Sequence, residues 1–289
     1  MNQPPKIFDR ALIKQNLATH PVEELDFFTQ LIIDDLQQRL ATISRPFNKA
    51  LILAPECTKI PPDFSSALGP INLMKLSTLM NEKDIGFADP ENLSLPDRDY
   101  NLIISLFDLG ITNDVPGFLK NIQNALAPDG LFMAAFIGGT SLSELRAAWL
   151  QADAEHLGGA VSRIAPFIDI KDAGSLLQRT GFALPVIDKE TLNLRYASPM
   201  HLMAELKTLG ASNPLADRHT KMVTKPHLAG AVEAYNLLAR DGDGRVRATL
   251  EIIWMSGWGP DESQQKPLKP GSAKISLTQI LGHKNNEKL

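Results

Sequence analysis

Three short, predominantly apolar runs stand out in the hydrophobic pattern of the chain and predict buried β-strands. They lie at residues 50–54, 101–106 and 131–137. A continuous apolar run is typical of a strand in a parallel sheet that is covered on both faces. Between the last two runs, apolar residues within 114–126 recur every three or four positions and predict an amphipathic helix. Strands that alternate with helices in this way predict an α/β fold with a doubly wound parallel sheet.

The same helical periodicity predicts further helices on either side of this region. One is expected at residues 21–41, with a proline at its first position. Another is expected to begin at Ser141, because Ser141 and Glu144 have the spacing of a capping box. A third is predicted to begin at Asp169 and to end at Gly181, where a glycine can adopt the left-handed conformation.

The connection after the first strand is short and rich in proline. Within residues 55–70, only residues 63–68 have room for a helix, of one or two turns. Weaker strands are predicted at residues 71–76 and 85–88. The segment at residues 127–130 has the residue types of a turn.

The last third of the chain has a different character. Helices are predicted at residues 198–210 and 226–240, and the second one leads into a tight turn at residues 241–244. A final strand is predicted at residues 248–258, where it would pair with residues 184–194.

These elements predict a division of the chain into five parts. Residues 1–48 are expected to form an N-terminal helical segment, and residues 49–197 an α/β core. Residues 198–247 would be a helical insertion that interrupts this core. Residues 248–280 would complete it with the last strand and a C-terminal loop, which leaves residues 281–289 as a tail.

Composition and charge narrow the classes of function. The 289-residue chain is 44% hydrophobic and 21% charged, as a globular protein is. A formal charge of −4 and a pI near 5.9 give no electrostatic footprint for nucleic acid. No apolar run approaches the ~20 residues that a membrane span needs, and the N-terminus has no apolar signal core. The single cysteine, Cys57, excludes an internal disulfide and fits a reducing compartment, so a cytoplasmic location is expected.

The turn after the first strand departs from the usual cofactor-binding pattern. Nucleotide-binding α/β domains place a glycine-rich turn here, which lets the backbone approach the ligand and leads into a helix N-terminus. This chain has Ala54-Pro55-Glu56-Cys57 and no glycine before Gly69. Pro55 removes a backbone donor, and Glu56 brings negative charge to a place that normally offers N–H groups. The strand that would lead into a cofactor site is present, but the usual residues of the site are missing.

Several ordered segments, spread over nearly the whole chain, carry a family resemblance. They are Ile7-Phe8-Asp9-Arg10, GGTSLSELR at residues 138–146, IAPF at 164–167, LLQRTGF at 176–182, and Gly257-Trp258 followed by Glu262-Ser263-Gln264. In this order they resemble the methyltransferase-fold assembly factors of mitochondrial complex I and their bacterial relatives. That family lies within the class I S-adenosylmethionine-dependent methyltransferases.

The resemblance implies a Rossmann-like sheet of seven strands with the last antiparallel, and S-adenosylmethionine as cofactor. Carrier-protein methyltransferases of the biotin pathway are more distant relatives. The mitochondrial assembly factor is associated with hydroxylation of an arginine in a complex I subunit, so the fold alone does not fix the reaction. Two functions are compatible with the resemblance. One is a methyltransferase-like enzyme that modifies a protein or assists respiratory-complex assembly, and the other is a cofactor-free module that binds an assembly partner.

By resemblance, the cofactor site is expected at Ala54, Pro55, Glu56, Asp89 and Ser105. Asp89 matches the family's position near the adenine. The second strand ends in Leu-Met-Lys-Leu without an acidic residue for the ribose, and the usual aromatic pair after the fourth strand is absent. Glu56 is either a substitute ribose ligand or a solvated turn residue. Asp89 is either an adenine contact or the cap of the next segment.

The expected contacts of a protein substrate or assembly partner are Arg146, Phe167, Trp258, Glu262 and Gln264. Arg146 is predicted near the cleft, where it would hold an acidic group, with a surface ion pair as the alternative. Trp258, Glu262 and Gln264 either bind a partner or form a strand end covered by a structured loop.

No residue pattern indicates a metal site or a nucleophile. His201, His219 and His227 are too scattered to predict metal ligands, and the turn at residues 241–244 lacks the later ligands of a calcium loop. Nucleophile motifs and a P-loop are also absent from the sequence. Because methyl transfer needs little beyond positioning of the reactants, catalytic residues cannot be assigned from the sequence.

Overall fold

A computed structural model describes residues 6–19, 26–220 and 222–265 of the chain. Its strands are β1 Ala50–Ala54, β2 Asp63–Ser66, β3 Gly69–Ser77, β4 Gly86–Phe87, β5 Tyr100–Leu106, β6 Leu126–Gly138, β7 Ala183–Tyr196 and β8 Val246–Trp258. Its helices are α1 Arg10–Thr19, α2 Phe27–Ala41, α3 Val115–Ala125, α4 Ser143–Leu157, α5 Ile170–Thr180, α6 Pro199–Thr208 and α7 Lys225–Ala239.

The strands form one sheet in the order β2-β3-β1-β5-β6-β8-β7, and the short β4 pairs with β3. The pairs that join β4, β3, β1, β5 and β6 are all parallel. Strand β8 lies between β6 and β7 and is antiparallel to both. Strand β2 adds an antiparallel hairpin to β3 at one edge. The predicted doubly wound sheet, with its last strand antiparallel, is confirmed.

The two faces of this sheet are buried in separate hydrophobic layers. All residues of β1 are buried, and successive side chains alternate between the layers. Leu51 and Leu53 pack in a cluster with α3 and α5, whereas Ile52 and Ala54 pack in a cluster with α2. This arrangement explains the continuous apolar run of β1, because a strand covered on both faces has no position left for a polar side chain.

Local capping signals place the ends of α3 and α5 correctly. The Asp114 carboxylate accepts the Gly117 N–H at 2.9 Å at the start of α3. Asp169 caps α5 by accepting the Lys171 N–H at 2.8 Å, and the helix ends at Gly181 with a φ of 91°. Both helices lie where the sequence predicts them.

The N-terminal helix prediction is confirmed only over α2. This helix begins at Phe27, and the Asp26 carboxylate caps it by accepting the Phe28 and Thr29 N–H groups. The predicted start at Pro21 lies outside the described residues.

The predicted capping box at Ser141 and Glu144 is wrong. The position before α4 is Leu142, in the left-handed region, and its side chain makes no capping hydrogen bond. The Ser141 hydroxyl donates to the Gly138 carbonyl at 2.6 Å, and Glu144 accepts the Thr249 N–H at 3.1 Å. Both side chains therefore connect α4 to the sheet, a long-range role that outweighs the local spacing.

Two further local predictions are wrong. Residues 63–68 contain β2 in place of a helix, because Phe64 is buried opposite Ile71 in a hairpin that turns at Gly69 with a φ of 128°. Residues 127–130 are not a free turn, since they form a bulge within β6 where its pairing with β5 shifts register.

The C-terminal elements follow the expected order. Helices α6 and α7 come after β7 and before β8, and β7 pairs with β8 along most of its length. The boundaries of the five predicted parts remain a prediction. Among the described residues, no helix combines the length and the apolar character that crossing a bilayer requires.

Candidate functional site

A cavity of about 1440 Å³ opens at the carboxyl ends of the central strands. Ala54 of β1, Leu106 of β5 and Ile137 of β6 contribute to its floor. Helices α1 and α6 form part of its walls. In open α/β sheets, ligands bind at this edge, where neighbouring connections diverge to opposite faces. The cavity is therefore the candidate functional site.

Apolar side chains dominate the lining of this cavity. They come from elements far apart in the chain and include Ile13, Leu17, Leu106, Phe107, Leu202 and Leu206. A few charged groups, among them Glu56 and Arg163, also reach the lining. A large apolar cavity with a small number of polar groups is the usual form of a ligand site.

The turn after β1 uses its own polar groups internally. The Ala54 carbonyl accepts the Thr78 N–H at 2.8 Å, and the Pro55 carbonyl accepts the Met80 N–H at 2.9 Å. The Pro55 carbonyl also accepts the Ser77 hydroxyl at 2.9 Å. The end of β1 is thus fastened to the end of β3, and the Ala54 side chain is buried.

The carboxylate of Glu82 accepts hydrogen bonds from the backbone N–H groups that follow this turn. Its carboxylate accepts the Cys57 N–H and the Thr58 N–H, each at 2.6 Å, and also the Thr58 hydroxyl. No helix follows these residues, because the chain passes directly into β2. The N–H groups and the helix N-terminus that would hold an anionic ligand at this point are therefore either bonded within the protein or missing.

Replacing Glu82 by alanine is expected to lower the free energy of unfolding by about 1–3 kcal/mol, since the Cys57 and Thr58 N–H groups would lose a charged acceptor. Urea unfolding at neutral pH measures this loss. Glu56→Ala serves as the control in the same loop, because the one ion pair of Glu56 within the described part of the chain is with Lys59, at 3.5 Å. Equal stability of the two variants would contradict the role given to Glu82.

Glu56 and Cys57 have different environments although they are neighbours. The Glu56 carboxylate is about one-third exposed and lines the cavity beside Lys59. Cys57 is fully buried, and burial, with the nearby Asp108 and Glu82 charges, raises the pKa of its thiol to about 12. Cys57 is therefore a core residue and not a reactive thiol at neutral pH.

Ser105 takes part in a buried polar cluster behind the cavity wall. Its hydroxyl donates to Asp108 Oδ2 at 2.9 Å, and the Thr78 hydroxyl donates to the other carboxylate oxygen. Burial raises the pKa of Asp108 to about 6, against the lowering effect of these hydroxyl groups and of Arg10. Asp108 was not predicted from the sequence, where its one local signal is the spacing Ser105-x-x-Asp108. In this arrangement the hydroxyl of Ser105 is hydrogen-bonded to the carboxylate of Asp108.

Asp89 lies at the surface, apart from the lining of the cavity. Its carboxylate accepts the Glu91 N–H at 3.1 Å and caps a short 3₁₀-helix at residues 90–92. This geometry matches the capping alternative that the sequence left open.

Arg146 and Phe167 are brought together beside the cavity. Arg146 donates to the Ile164 carbonyl at 3.1 Å and to the Ala165 carbonyl at 2.9 Å. Its guanidinium carbon lies 6.0 Å from the Phe167 ring centroid. Arg146 thus positions the loop at residues 164–167, and Phe167 and its neighbours line the cavity.

Trp258 and Gln264 lie at the other end of the sheet. Trp258 pairs with Leu131, near the start of the regular part of β6, and its ring lies 4.7 Å from the Arg45 guanidinium carbon. Gln264 donates to Asp129 Oδ1 at 3.0 Å, and Arg45 forms an ion pair with the same aspartate. These side chains hold a structured loop over the strand end.

Glu262 belongs to this loop and is exposed. A separate small cavity of about 290 Å³ lies against Trp258 and Gln264. The five expected substrate or partner contacts therefore do not form one site, since only Arg146 and Phe167 lie near the large cavity.

A second buried charged cluster, which the sequence analysis also missed, borders the cavity. Asp153 is fully buried on α4 and accepts Arg163 Nε and Nη2 at 2.6–2.9 Å. His227 Nε2 lies 2.8 Å from the same carboxylate. Arg163 lines the cavity together with Trp149. Within the described part of the chain, no group of three His, Cys, Asp or Glu side chains is placed to hold a metal ion.

The strand order and the cavity at the carboxyl ends of the strands define a class I methyltransferase-fold protein. Its sequence is similar to that of the mitochondrial arginine-hydroxylase NDUFAF5. The zebrafish (Danio rerio) protein is 35% identical over 193 residues, which are 67% of this chain and 60% of that protein. The human protein is 37% identical over 199 residues, or 69% of this chain and 57% of that protein. These matches confirm the resemblance.

A bacterial enzyme is about as similar. The malonyl-[acyl-carrier protein] O-methyltransferase of Halorhodospira halophila is 35% identical over 190 residues, which are 66% of this chain and 62% of the enzyme. The matched region thus spans less than two thirds of each of these relatives. No protein-family model matches the chain.

Solved structures give weaker likenesses. The YcgJ protein of Bacillus subtilis has a TM-score of 0.48 and 10% identity, over 80% of this chain and 99% of that protein. Phosphoethanolamine N-methyltransferase 2 of Haemonchus contortus has a TM-score of 0.44 and 11% identity, over 87% of this chain and 57% of that chain. The fold assignment rests on the strand order of the sheet itself.

The residues at the end of β1 do not fit the cofactor of this class. S-adenosylmethionine carries a carboxylate and ribose hydroxyls, which need N–H donors and an acidic partner. Here the Cys57 and Thr58 N–H groups are bonded to Glu82, and Asp89 lies outside the cavity. Glu56 is the one carboxylate of the β1 turn that reaches the cavity. No step of a reaction is therefore assigned to the cofactor.

Proposed function

We propose that this chain is a methyltransferase-fold binding protein that assists assembly of a respiratory complex without using S-adenosylmethionine. The observation that carries the proposal is the bonding of the Cys57 and Thr58 N–H groups by Glu82. An internal carboxylate takes the place where the class would bind an external anionic group. The direct passage of the chain from this loop into β2 supports the same conclusion, because no helix dipole is available there.

The proposed partner is a protein. One relative is named for an acyl-carrier protein, which points to a group carried on a protein, and the resemblance to complex I assembly factors also implies a protein partner. The formal charge of −4 gives no support for a nucleic-acid partner. We place this activity in the cytoplasm.

The second candidate function is methyl transfer to a protein-borne group. The similarity to a named O-methyltransferase favours it, as does the position of Glu56 on the cavity lining, where it would face ribose hydroxyls. In this case the turn after β1 would have to release Glu82 before the cofactor entered.

Calorimetric titration of the purified chain with S-adenosylmethionine and S-adenosylhomocysteine distinguishes these functions. We expect no binding heat and no rise in melting temperature at ~1 mM ligand, because a ligand bound to the native state must stabilise it. The H. halophila methyltransferase, titrated in the same buffer, checks that the ligands are intact. A dissociation constant in the ~µM range would overturn the cofactor-free proposal.

A further inference from the structure

Arg163 is held in one orientation at the wall of the large cavity. Its side chain is 14% exposed and lines the cavity beside Trp149 and Ile164. The guanidinium carbon lies 4.4 Å from the Trp149 ring centroid. An arginine that is mostly buried and stacked on an aromatic ring has lost most of its rotational freedom before any ligand arrives.

Asp153 fixes only one side of this guanidinium. Its two oxygens accept Nε at 2.9 Å, and Oδ1 also accepts Nη2 at 2.6 Å. Asp153 is itself fully buried and is also bonded to His227 Nε2 at 2.8 Å. The carboxylate therefore holds the Nε side of the arginine, and no other described residue is bonded to its far end.

The donors of Arg163 can be counted. A guanidinium has five N–H donors, and the contact with Asp153 uses the Nε donor and one Nη2 donor. Among the described residues, none is bonded to Nη1. The Nη1 and Nη2 donors at the far end form a parallel fork that fits the two oxygens of a carboxylate.

The remaining charges of the lining limit the head group of a ligand. Asp26, Glu56 and Glu205 line the cavity, as do the cations Lys59 and Arg195. Lys59 is paired with Glu56, and Arg195 is paired with two aspartates, so neither offers the free pair of donors that Arg163 has. Lys207 also lines it but is exposed at the surface. One free pair of guanidinium donors and a predominantly apolar wall favour a ligand that has a single carboxylate attached to an apolar group.

We propose that the large cavity binds a carboxylate joined to an extended apolar group, such as a fatty acid, with the carboxylate on the free end of Arg163. The apolar group would lie against Trp149, Leu145 and the side chains of α6 that line the cavity. The turn after β1 lines the same large cavity, but this proposal rests on Arg163 and the apolar lining and does not depend on the bonding of the Cys57 and Thr58 N–H groups.

The test is calorimetric titration of the full chain with decanoate, dodecanoate and 1-decanol. We expect both acids to bind, and the alcohol to bind at least tenfold more weakly, because it has no carboxylate for the fork. This comparison uses the unmodified protein and needs no variant to fold. Equal binding of acid and alcohol, or no binding of either acid, would overturn the proposal.

Two substitutions locate the carboxylate. Arg163→Lys keeps a positive charge beside Asp153 but removes the fork, so we expect about tenfold weaker binding of dodecanoate and unchanged binding of 1-decanol. Lys171→Gln is the matched control, at an exposed position outside the cavity lining, and it should leave dodecanoate binding unchanged. If Lys171→Gln weakens binding as much as Arg163→Lys does, or if Arg163→Lys has no effect, the assignment to Arg163 is wrong. A peptide with a C-terminal carboxylate is titrated in the same way. If the peptide binds and neither acid binds, the fatty-acid assignment is wrong.

Discussion

Replacing Asp153 by alanine is expected to lower the free energy of unfolding by about 3–5 kcal/mol, which is among the largest effects of a single substitution in this chain. The substitution removes a fully buried carboxylate that pairs with Arg163 and lies 2.8 Å from His227. A buried guanidinium would then lack its counter-charge, and its desolvation would no longer be compensated. Urea unfolding at pH 7, followed by circular dichroism, measures the loss.

A surface ion pair provides the matched control. Asp188 pairs with Arg39 at 2.7 Å, but its side chain is 55% exposed. Asp188→Ala should therefore cost no more than about 1 kcal/mol. The double substitution Asp153→Leu with Arg163→Met should recover part of the stability lost in Asp153→Ala, because it removes both buried charges together. A loss below about 1 kcal/mol for Asp153→Ala would contradict a stabilising role for the cluster.

The fold was largely predictable because its main signals are local. The continuous apolar run of β1 reports burial on both faces, and the caps Asp114 and Asp169 act within three residues of themselves. Ser141 and Glu144 show where local reasoning fails. Ser141 accepts the Glu251 N–H and Glu144 accepts the Thr249 N–H, both from β8 and more than 100 residues away. The two residues have the spacing of a capping box, but their side chains bond to the sheet and not to the start of the helix.

The candidate site was less predictable for the same physical reason. The sequence correctly indicated that the turn at Pro55 lacks the glycine-rich cradle. It gave no sign that Glu82 bonds Thr58, because that contact depends on how the loop after β3 folds back over β1. Trp258 and Gln264 were grouped with Phe167 by resemblance alone, whereas the sheet separates its two ends. Distance along the chain carries no information about which end of a sheet a strand terminus reaches.

The second large effect concerns the pH dependence of stability, and it arises from Asp108. Burial raises the pKa of this carboxyl to about 6 in the folded protein, whereas its ordinary value is 3.8. The folded state therefore binds the proton more tightly than the unfolded state. Stability from this group is fully present below pH 3.8 and is lost as the pH rises through about 6. The difference in pKa corresponds to about 3 kcal/mol.

Asp108→Asn is expected to abolish this contribution. Urea unfolding at pH 4, 5, 6 and 7 should show that the wild type loses about 2.4 kcal/mol relative to the variant as the pH rises from 4 to 7, because the unfolded carboxyl is already partly ionised at pH 4. The wild type must be compared with the variant because other carboxyls change the stability with pH in the opposite direction. One of them is Asp188, whose pKa is lowered by its hydrogen bond from Arg39. Asp89→Asn, at an exposed cap, should keep the wild-type profile. The prediction is wrong if the free energies of unfolding of Asp108→Asn and the wild type change with pH in the same way from pH 4 to 7. In that case Asp108 is ionised in the folded protein throughout this range, held so by its hydrogen bonds from Thr78 and Ser105.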